Sequence, residues 1–251
     1  MNIVVFGANG PTGRQVVEQA VEAGHTVTAV TRHPESFPVD GARVVLADVY
    51  DPAAVERAVA GQDAVVSALG VPYGRDRVTV YSTGVTHIAR AMAGHGVRRL
   101  VAVTSTVLFG TPAPGENFLF RKVLEPSIAR FMGRTVYEDM RRMEEVLRRS
   151  ELEWTVLRPG GLFDAEEVSA YEVGTERLPG RYTARPDLAR ELLRQAVEER
   201  RHVGRYVDVR TTQNTPSLFD LIRKEAVGGR AVGGREVGGG PVGGGEERAR
   251  R

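Results

Sequence analysis

The 251-residue chain carries 34 basic and 32 acidic residues, is 41% hydrophobic and has no cysteine. That length and apolar fraction suit one α/β domain. The lack of cysteine excludes disulfides, thiolate catalysis and cysteine-ligated zinc. Nearly cancelling charge leaves no overall field to gather nucleic acid or an anionic membrane. No apolar run approaches the roughly 20 residues of a membrane span, and no signal-peptide pattern precedes the first strand. The expectation is a cytoplasmic protein, monomer or homodimer, acting on a small hydrophobic molecule without nucleic acid or membrane as partner.

In chain order, residues 3–6 read as a buried strand and 11–23 as a helix with Val16, Val17, Ala20 and Val21 on one face. Residues 26–31, rich in β-branched side chains, form a second strand and 43–47 a third. A helix opens on Pro52 and runs to 60. Residues 64–68 are a fourth strand, 79–93 a helix ending at Gly94, and 100–104 a fifth strand. A helix over 137–149, a strand over 154–157, a helix over 186–198, a strand over 206–209 and a helix over 216–224 complete the pattern. Strands alternating with helices predict a single Rossmann-type, doubly wound and mostly parallel sheet over 1–225.

Residues 226–251 differ in kind. Val227, Val232, Val237 and Val242 each begin a five-residue unit, and ten of the 26 residues are glycine. Ordering so much glycine costs backbone entropy that four lone valines do not offset. The reading is a disordered tail, with a flexible interaction arm as the alternative.

Gly7, Gly10 and Gly13 fall between the first strand and the first helix, spaced as in a dinucleotide-binding turn. Gly7 allows the tight turn, Gly10 admits a pyrophosphate close to the backbone, and Gly13 lets helix and sheet approach. The helix N-terminus then faces the phosphates. No lysine follows the glycines, which excludes a P-loop. NAD sites usually place an acid at the end of the second strand. Here Val30-Thr31-Arg32-His33 offers a guanidinium suited to a 2′-phosphate, so NADP(H) is the favoured cofactor. The plain alternative makes Arg32 a solvated surface residue. Asp48 and Val49 at the third strand end, and Leu69 and Gly70 beyond the fourth, converge on the same crevice.

These residues give the chain its resemblance to atypical short-chain dehydrogenases/reductases. It is similar to the NAD(P)H-binding group that includes biliverdin reductase B (flavin reductase) and NmrA-like proteins. The likeness rests on GANGPTG, VTRHP, ADVYDPAAVERAVAGQDAVVSALG, GVRRLVAVTST, MEEVLRRSELEWTVLRPGGL and LPGRYTARPDLA. It implies about seven parallel strands, NADPH across their ends, and hydride delivery to a flat or carbonyl-bearing substrate. It implies cofactor contacts at Gly7, Asn9, Gly10, Pro11, Thr12, Gly13, Arg32, Asp48, Val49, Leu69 and Gly70. Thr104, Ser105, Pro159, Gly160, Gly161 and Leu162 would lie near the nicotinamide. Two departures stand out. Tyr137 is followed four residues later by Arg141, where typical members have lysine. Gly161 stands where the flavin reductases have histidine, so flavin or biliverdin reduction does not transfer.

Ser105, just past the fifth strand, is the candidate oxyanion donor, and Tyr137 the candidate proton source. Ser105 read plainly is a strand-ending cap, and Tyr137 a helix residue packing through its ring. Glu138, Asp139, Glu144 and Glu145, alternating with Arg141, Arg142, Arg148 and Arg149, read as a solvated helix face. The five histidines show no close ligand spacing, so no metal site is expected, and each reads as a surface or loop residue. Residues 108–136, with Phe109, Phe118, Phe120 and Phe131, read either as an apolar lid over substrate or as an oligomer contact or extra core helix. Three functions stay open: an NADPH-dependent reductase of a carbonyl, quinone or conjugated compound, a non-catalytic NADP(H) sensor, and a cofactor-assisted isomerase or epimerase.

Overall fold

The computed structural model describes residues 1–71, 76–111, 113–114, 134–198 and 200–216. Among these the chain runs β1 (Asn2–Phe6), α1 (Pro11–Glu22), β2 (Thr26–Thr31), β3 (Arg43–Leu46), α2 (Pro52–Val59), β4 (Ala64–Ser67), α3 (Val80–His95), β5 (Arg99–Val103), α4 (Arg134–Arg148), β6 (Glu153–Pro159), β7 (Gly161–Phe163), β8 (Tyr171–Gly174), β9 (Tyr182–Ala184), α5 (Arg185–Val197) and β10 (Arg205–Thr211). The expected helix beyond Pro216, the tail 226–251 and the aromatic positions Phe118, Phe120 and Phe131 lie outside the described residues.

The strands form an eight-stranded sheet in the order β3-β2-β1-β4-β5-β6-β10-β8. Every pairing is parallel except β10 with β8, where Asp208 faces Gly174 and Thr211 faces Tyr171. The strand order reverses between β1 and β4. That switch point opens a crevice at the carboxyl ends of both strands, where ligands bind in sheets of this kind. A separate parallel pair, β7 with β9, stands beyond the end of β6. The doubly wound sheet expected from the sequence is therefore present, with seven parallel strands.

Burial on both sheet faces explains the near-continuous apolar strands. Ile3 and Val5 point to one face and pack with Val16, Val17 and Ala20 of α1 and Leu188, Ala189 and Leu192 of α5. Val4 and Phe6 point to the other, with Val55 of α2, Val85, Ile88 and Met92 of α3, and Met143 and Leu147 of α4. Each fully buried Val or Leu side chain stabilises the fold by about 1.5–3 kcal/mol.

Three expectations need correction. The α3 helix passes through Gly94 and ends at Gly96, whose φ of 70° forms the left-handed stop. A glycine inside a helix weakens it without ending it, whereas a positive φ does end it. The α4 helix begins at Arg134, nearly a turn before the expected Tyr137. Its charged run is only half solvated. Glu138 and Glu145 pair on the surface with Arg134, Arg148 and Arg149, but Asp139 is fully buried and Glu144 is 7% exposed.

Candidate dinucleotide site

The turn between β1 and α1 is glycine for three different physical reasons. Gly7 has φ 76°, and a Cβ there would stand 2.5 Å from the Ala68 carbonyl oxygen at the end of β4. A Cβ on Gly13 would collide with the Gly7 carbonyl and come within 2.9 Å of the Ala8 Cα. Gly13 therefore sets how closely α1 approaches β1. Among the described residues, a Cβ on Gly10 would meet only the Gly7 oxygen, at 3.3 Å, and one on Gly70 nothing within 4 Å. These two positions keep a bare backbone surface facing the crevice.

The α1 N-terminus opens beside that surface. Pro11 occupies the first turn, the N-cap residue is Gly10 with no side chain to cap the helix, and the first turn holds no acid. Such an end offers peptide N–H groups and a partial positive charge to an anion. The bare glycine surface and the acid-free helix end fit the phosphates of a dinucleotide. Gly7, Asn9, Gly10, Pro11, Thr12 and Gly13 all lie on this turn.

Arg32 follows β2, is exposed, and has no ion pair among the described residues. Asp48 receives the Tyr50 N–H at 2.9 Å. Val49 is buried, and its carbonyl meets His87 Nδ1 at 2.7 Å. Val49 and Leu69 close over Gly84 of α3, where a Cβ would stand 3.3 and 2.9 Å from them. Val49, after β3, and Leu69, after β4, thus meet at Gly84, although β2 and β1 stand between their strands in the sheet.

The residues expected near the nicotinamide lie past β5 and β6. Thr104 is buried and donates to Glu144 Oε1 at 2.9 Å. Ser105 is half-buried, and its Oγ accepts the Val107 N–H at 3.3 Å, capping the short helical turn Thr106–Phe109. Tyr137 is 7% exposed and packs in the apolar cluster beneath α3 and α4. Arg141, four residues on, is exposed. Pro159 ends β6, where a missing N–H is tolerated. A Cβ on Gly160 would collide with Arg210 Nη1 and the Arg181 carbonyl, so this glycine answers to local packing. Gly161 and Leu162 open β7, and Leu162 is 37% exposed.

A family model described as NAD(P)H-binding matches residues 7–199, most of the chain. The chain belongs to the NAD(P)H-binding family. An uncharacterised Mycobacterium tuberculosis protein is 35% identical over 106 residues, 42% of this chain, but that stretch covers only 12% of the mycobacterial protein. A Bacillus subtilis protein named as an uncharacterised sugar epimerase is 25% identical over 224 residues, covering 86% of this chain and 96% of its own. Among solved structures, a Veillonella parvula short-chain dehydrogenase/reductase in complex with NADP has a TM-score of 0.67 at 18% identity, covering 86% of this chain and 99% of that one. That likeness is one of fold. The chain thus shares the fold of that NADP-binding structure, and no described helix is long and apolar enough to cross a membrane.

Sequence reasoning missed several residues of this NAD(P)H-binding protein. Arg14, next to Gly13, donates from Nε and Nη2 to Asn9 Oδ1. Asp139 caps α3: its Oδ2 receives the Tyr81 N–H at 2.9 Å and the Ser82 N–H at 3.3 Å, and its Oδ1 the Ser82 hydroxyl. Glu144 holds Arg158, whose guanidinium lies 4.0 Å over the Tyr206 ring and 4.6 Å over Phe109. Burial, then the Glu144 carboxylate, push the Tyr206 phenol above its ordinary range. Burial likewise holds the Asp208 carboxyl high although Arg210 Nε stands 3.0 Å away. His202 is buried in the turn before β10, with Gln195 Nε2 at 2.9 Å from its Nδ1; of its reading as a surface or loop residue, the loop holds and the surface does not. Only Arg14, on the third glycine's shoulder, carried a positional signal. Asp139 reaches its partners across 57 and 58 residues, and the Glu144–Arg158 and Gln195–His202 pairs each join separate elements or turns.

Proposed function

We propose that this protein binds NADPH across the carboxyl strand ends and reduces a small hydrophobic carbonyl, quinone or conjugated compound. The observation that carries the cofactor choice is Arg32 at the end of β2, exposed, unpaired among the described residues and with no acid beside it in Val30-Thr31-Arg32-His33. A carboxylate there would favour ribose hydroxyls, whereas a guanidinium favours a 2′-phosphate. NADPH would supply the hydride. Gly7, Gly10 and Gly13 let the backbone approach its pyrophosphate, and Asp48, Val49, Leu69 and Gly70 flank its adenosine. Thr104, Pro159, Gly160, Gly161 and Leu162 border its nicotinamide end.

In this reading the Ser105 hydroxyl donates a hydrogen bond to the developing oxyanion. Leaving the Val107 cap costs little, since that bond is long. Tyr137 donates the proton from its phenol. NADPH and NADH oxidation, followed across a panel of ketones, aldehydes and quinones, tests the proposal: turnover with NADPH supports it, and no turnover of any class overturns it.

A second reading has one specific observation in its favour. Four residues after Tyr137 stands the exposed Arg141, not the lysine that lowers the phenol's pKa in typical members. A protein that binds NADP(H) and signals its redox state to a partner needs no such pair. Tight NADPH binding without turnover supports that reading.

A further inference from the structure

Arg14 is half-buried at the first turn of α1, yet it has no ion pair among the described residues. Its Nε and Nη2 both donate to one neutral oxygen, Asn9 Oδ1, at 2.9 and 2.5 Å. An amide satisfies donors but leaves the positive charge uncompensated. Guanidinium groups drawn out of water are ordinarily paired with an anion.

The other end of the Asn9 amide shows where such an anion belongs. Asn9 Nδ2 donates to Ser36 Oγ at 3.0 Å, and Ser36 Oγ donates to the His33 carbonyl at 3.1 Å. One side chain therefore ties Arg14 to the loop that follows Arg32. That loop is held tight by the His33 N–H on Thr31 Oγ1 at 3.0 Å. Arg14 and Arg32, from different elements and without a carboxylate partner among the described residues, are thus linked to one loop through the Asn9–Ser36 bond.

We propose that Arg14 is a specificity-determining residue, which with Arg32 and Ser36 clamps the phosphomonoester on the ribose 2′-oxygen of the dinucleotide. The inference rests on the NADPH reading. Asn9 keeps the Arg14 fork aimed while the ligand is absent, so less side-chain freedom is lost on binding. A phosphomonoester carries more than one negative charge and three acceptor oxygens, enough for two guanidinium groups and a hydroxyl. The competing assignment makes Arg14 a pyrophosphate contact, which would serve every adenine dinucleotide alike.

The test uses the full chain and two fragments, 2′,5′-ADP and ADP, titrated calorimetrically at low salt. The wild type should prefer 2′,5′-ADP. Arg14→Met should cut that preference by about tenfold or more, the loss expected for a charge-assisted bond, while ADP affinity stays within about twofold. Ser36→Ala should move the preference in the same direction by less. Arg14→Lys, which keeps the charge but not the fork, should fall between wild type and Arg14→Met, and serves if the methionine variant does not fold. Equal loss of both fragments would make Arg14 a pyrophosphate or structural residue and overturn the clamp, as would an unchanged preference. A wild type without any preference would overturn the NADPH reading itself, a result distinguishable from failure at Arg14 alone.

Discussion

Glu144 and Arg158 form a two-point ion pair at the carboxyl end of β6, Nε to Oε1 at 3.0 Å and Nη2 to Oε2 at 2.6 Å. Both side chains are less than a tenth exposed. Glu144 Oε1 also accepts from Thr104, so the pair ties α4 to the ends of β5 and β6. Removing one partner of a buried pair leaves a charge without compensation. Glu144→Ala should cost about 3–5 kcal/mol, whereas replacing both residues by apolar ones of similar volume should recover much of it. Urea unfolding of the single variant and of Glu144→Leu/Arg158→Met checks this. A single-variant loss below about 1 kcal/mol, as for an exposed pair, would contradict it.

Arg32→Ala should weaken NADPH binding by about 1–3 kcal/mol, the range for a hydrogen bond to a charged group, with NADH nearly unaffected. Calorimetric titration of both cofactors decides. Equal loss for the two would remove Arg32 from the 2′-phosphate.

Gly13→Ala reverses the usual rule for helices. Alanine in place of glycine ordinarily stabilises a helix interior by about 1 kcal/mol. At Gly13 the added methyl would run into the Gly7 carbonyl and lie 2.9 Å from the Ala8 Cα. Both are backbone groups that no rotamer change moves, so α1 must shift off β1. The melting temperature should fall and dinucleotide affinity with it. A variant as stable as the parent would show that the helix adjusts freely.

At the substrate end, Ser105→Ala should lower kcat on the order of 100-fold, the usual loss for an oxyanion donor, with NADPH affinity nearly intact. Tyr137→Phe should cost a comparable factor unless water delivers the proton. Steady-state kinetics with whichever substrate the panel identifies reads both. Unchanged turnover in each would leave Ser105 as a cap and Tyr137 as a packing residue.

The fold was legible wherever local pattern and tertiary demand coincide. Buried strands need apolar runs, and the turn after β1 needs glycine, so β1, α1 and the Gly7–Gly13 turn stand in the sequence where the structure puts them. The strands β7, β8 and β9, of three or four residues each, were not legible. They are too short for periodicity, and their pairing depends on neighbours such as β10, more than 30 residues from β8. The charged face of α4 misled for a related reason. Helical spacing accounts for the Arg134–Glu138 and Arg148–Glu145 pairs, but Asp139 and Glu144 serve groups on α3, β5 and β6 that no window of α4 contains. The glycine cradle was readable because it is local. The bond from Asn9 to Ser36 closes a 27-residue gap, and nothing at either end announces the other.

The Asp139 cap has a kinetic consequence. The first amides of an isolated helix exchange with solvent as its end frays, independently of the rest of the molecule. Here the Tyr81 and Ser82 protons are held by a carboxylate from another helix, so their exchange waits for α3 and α4 to part. In deuterium these two amides should report the opening of the α3–α4 pair. They open the helix whose Gly84 packs against Leu69 and Val49, which makes them a built-in gauge of how tightly that wall of the crevice is closed.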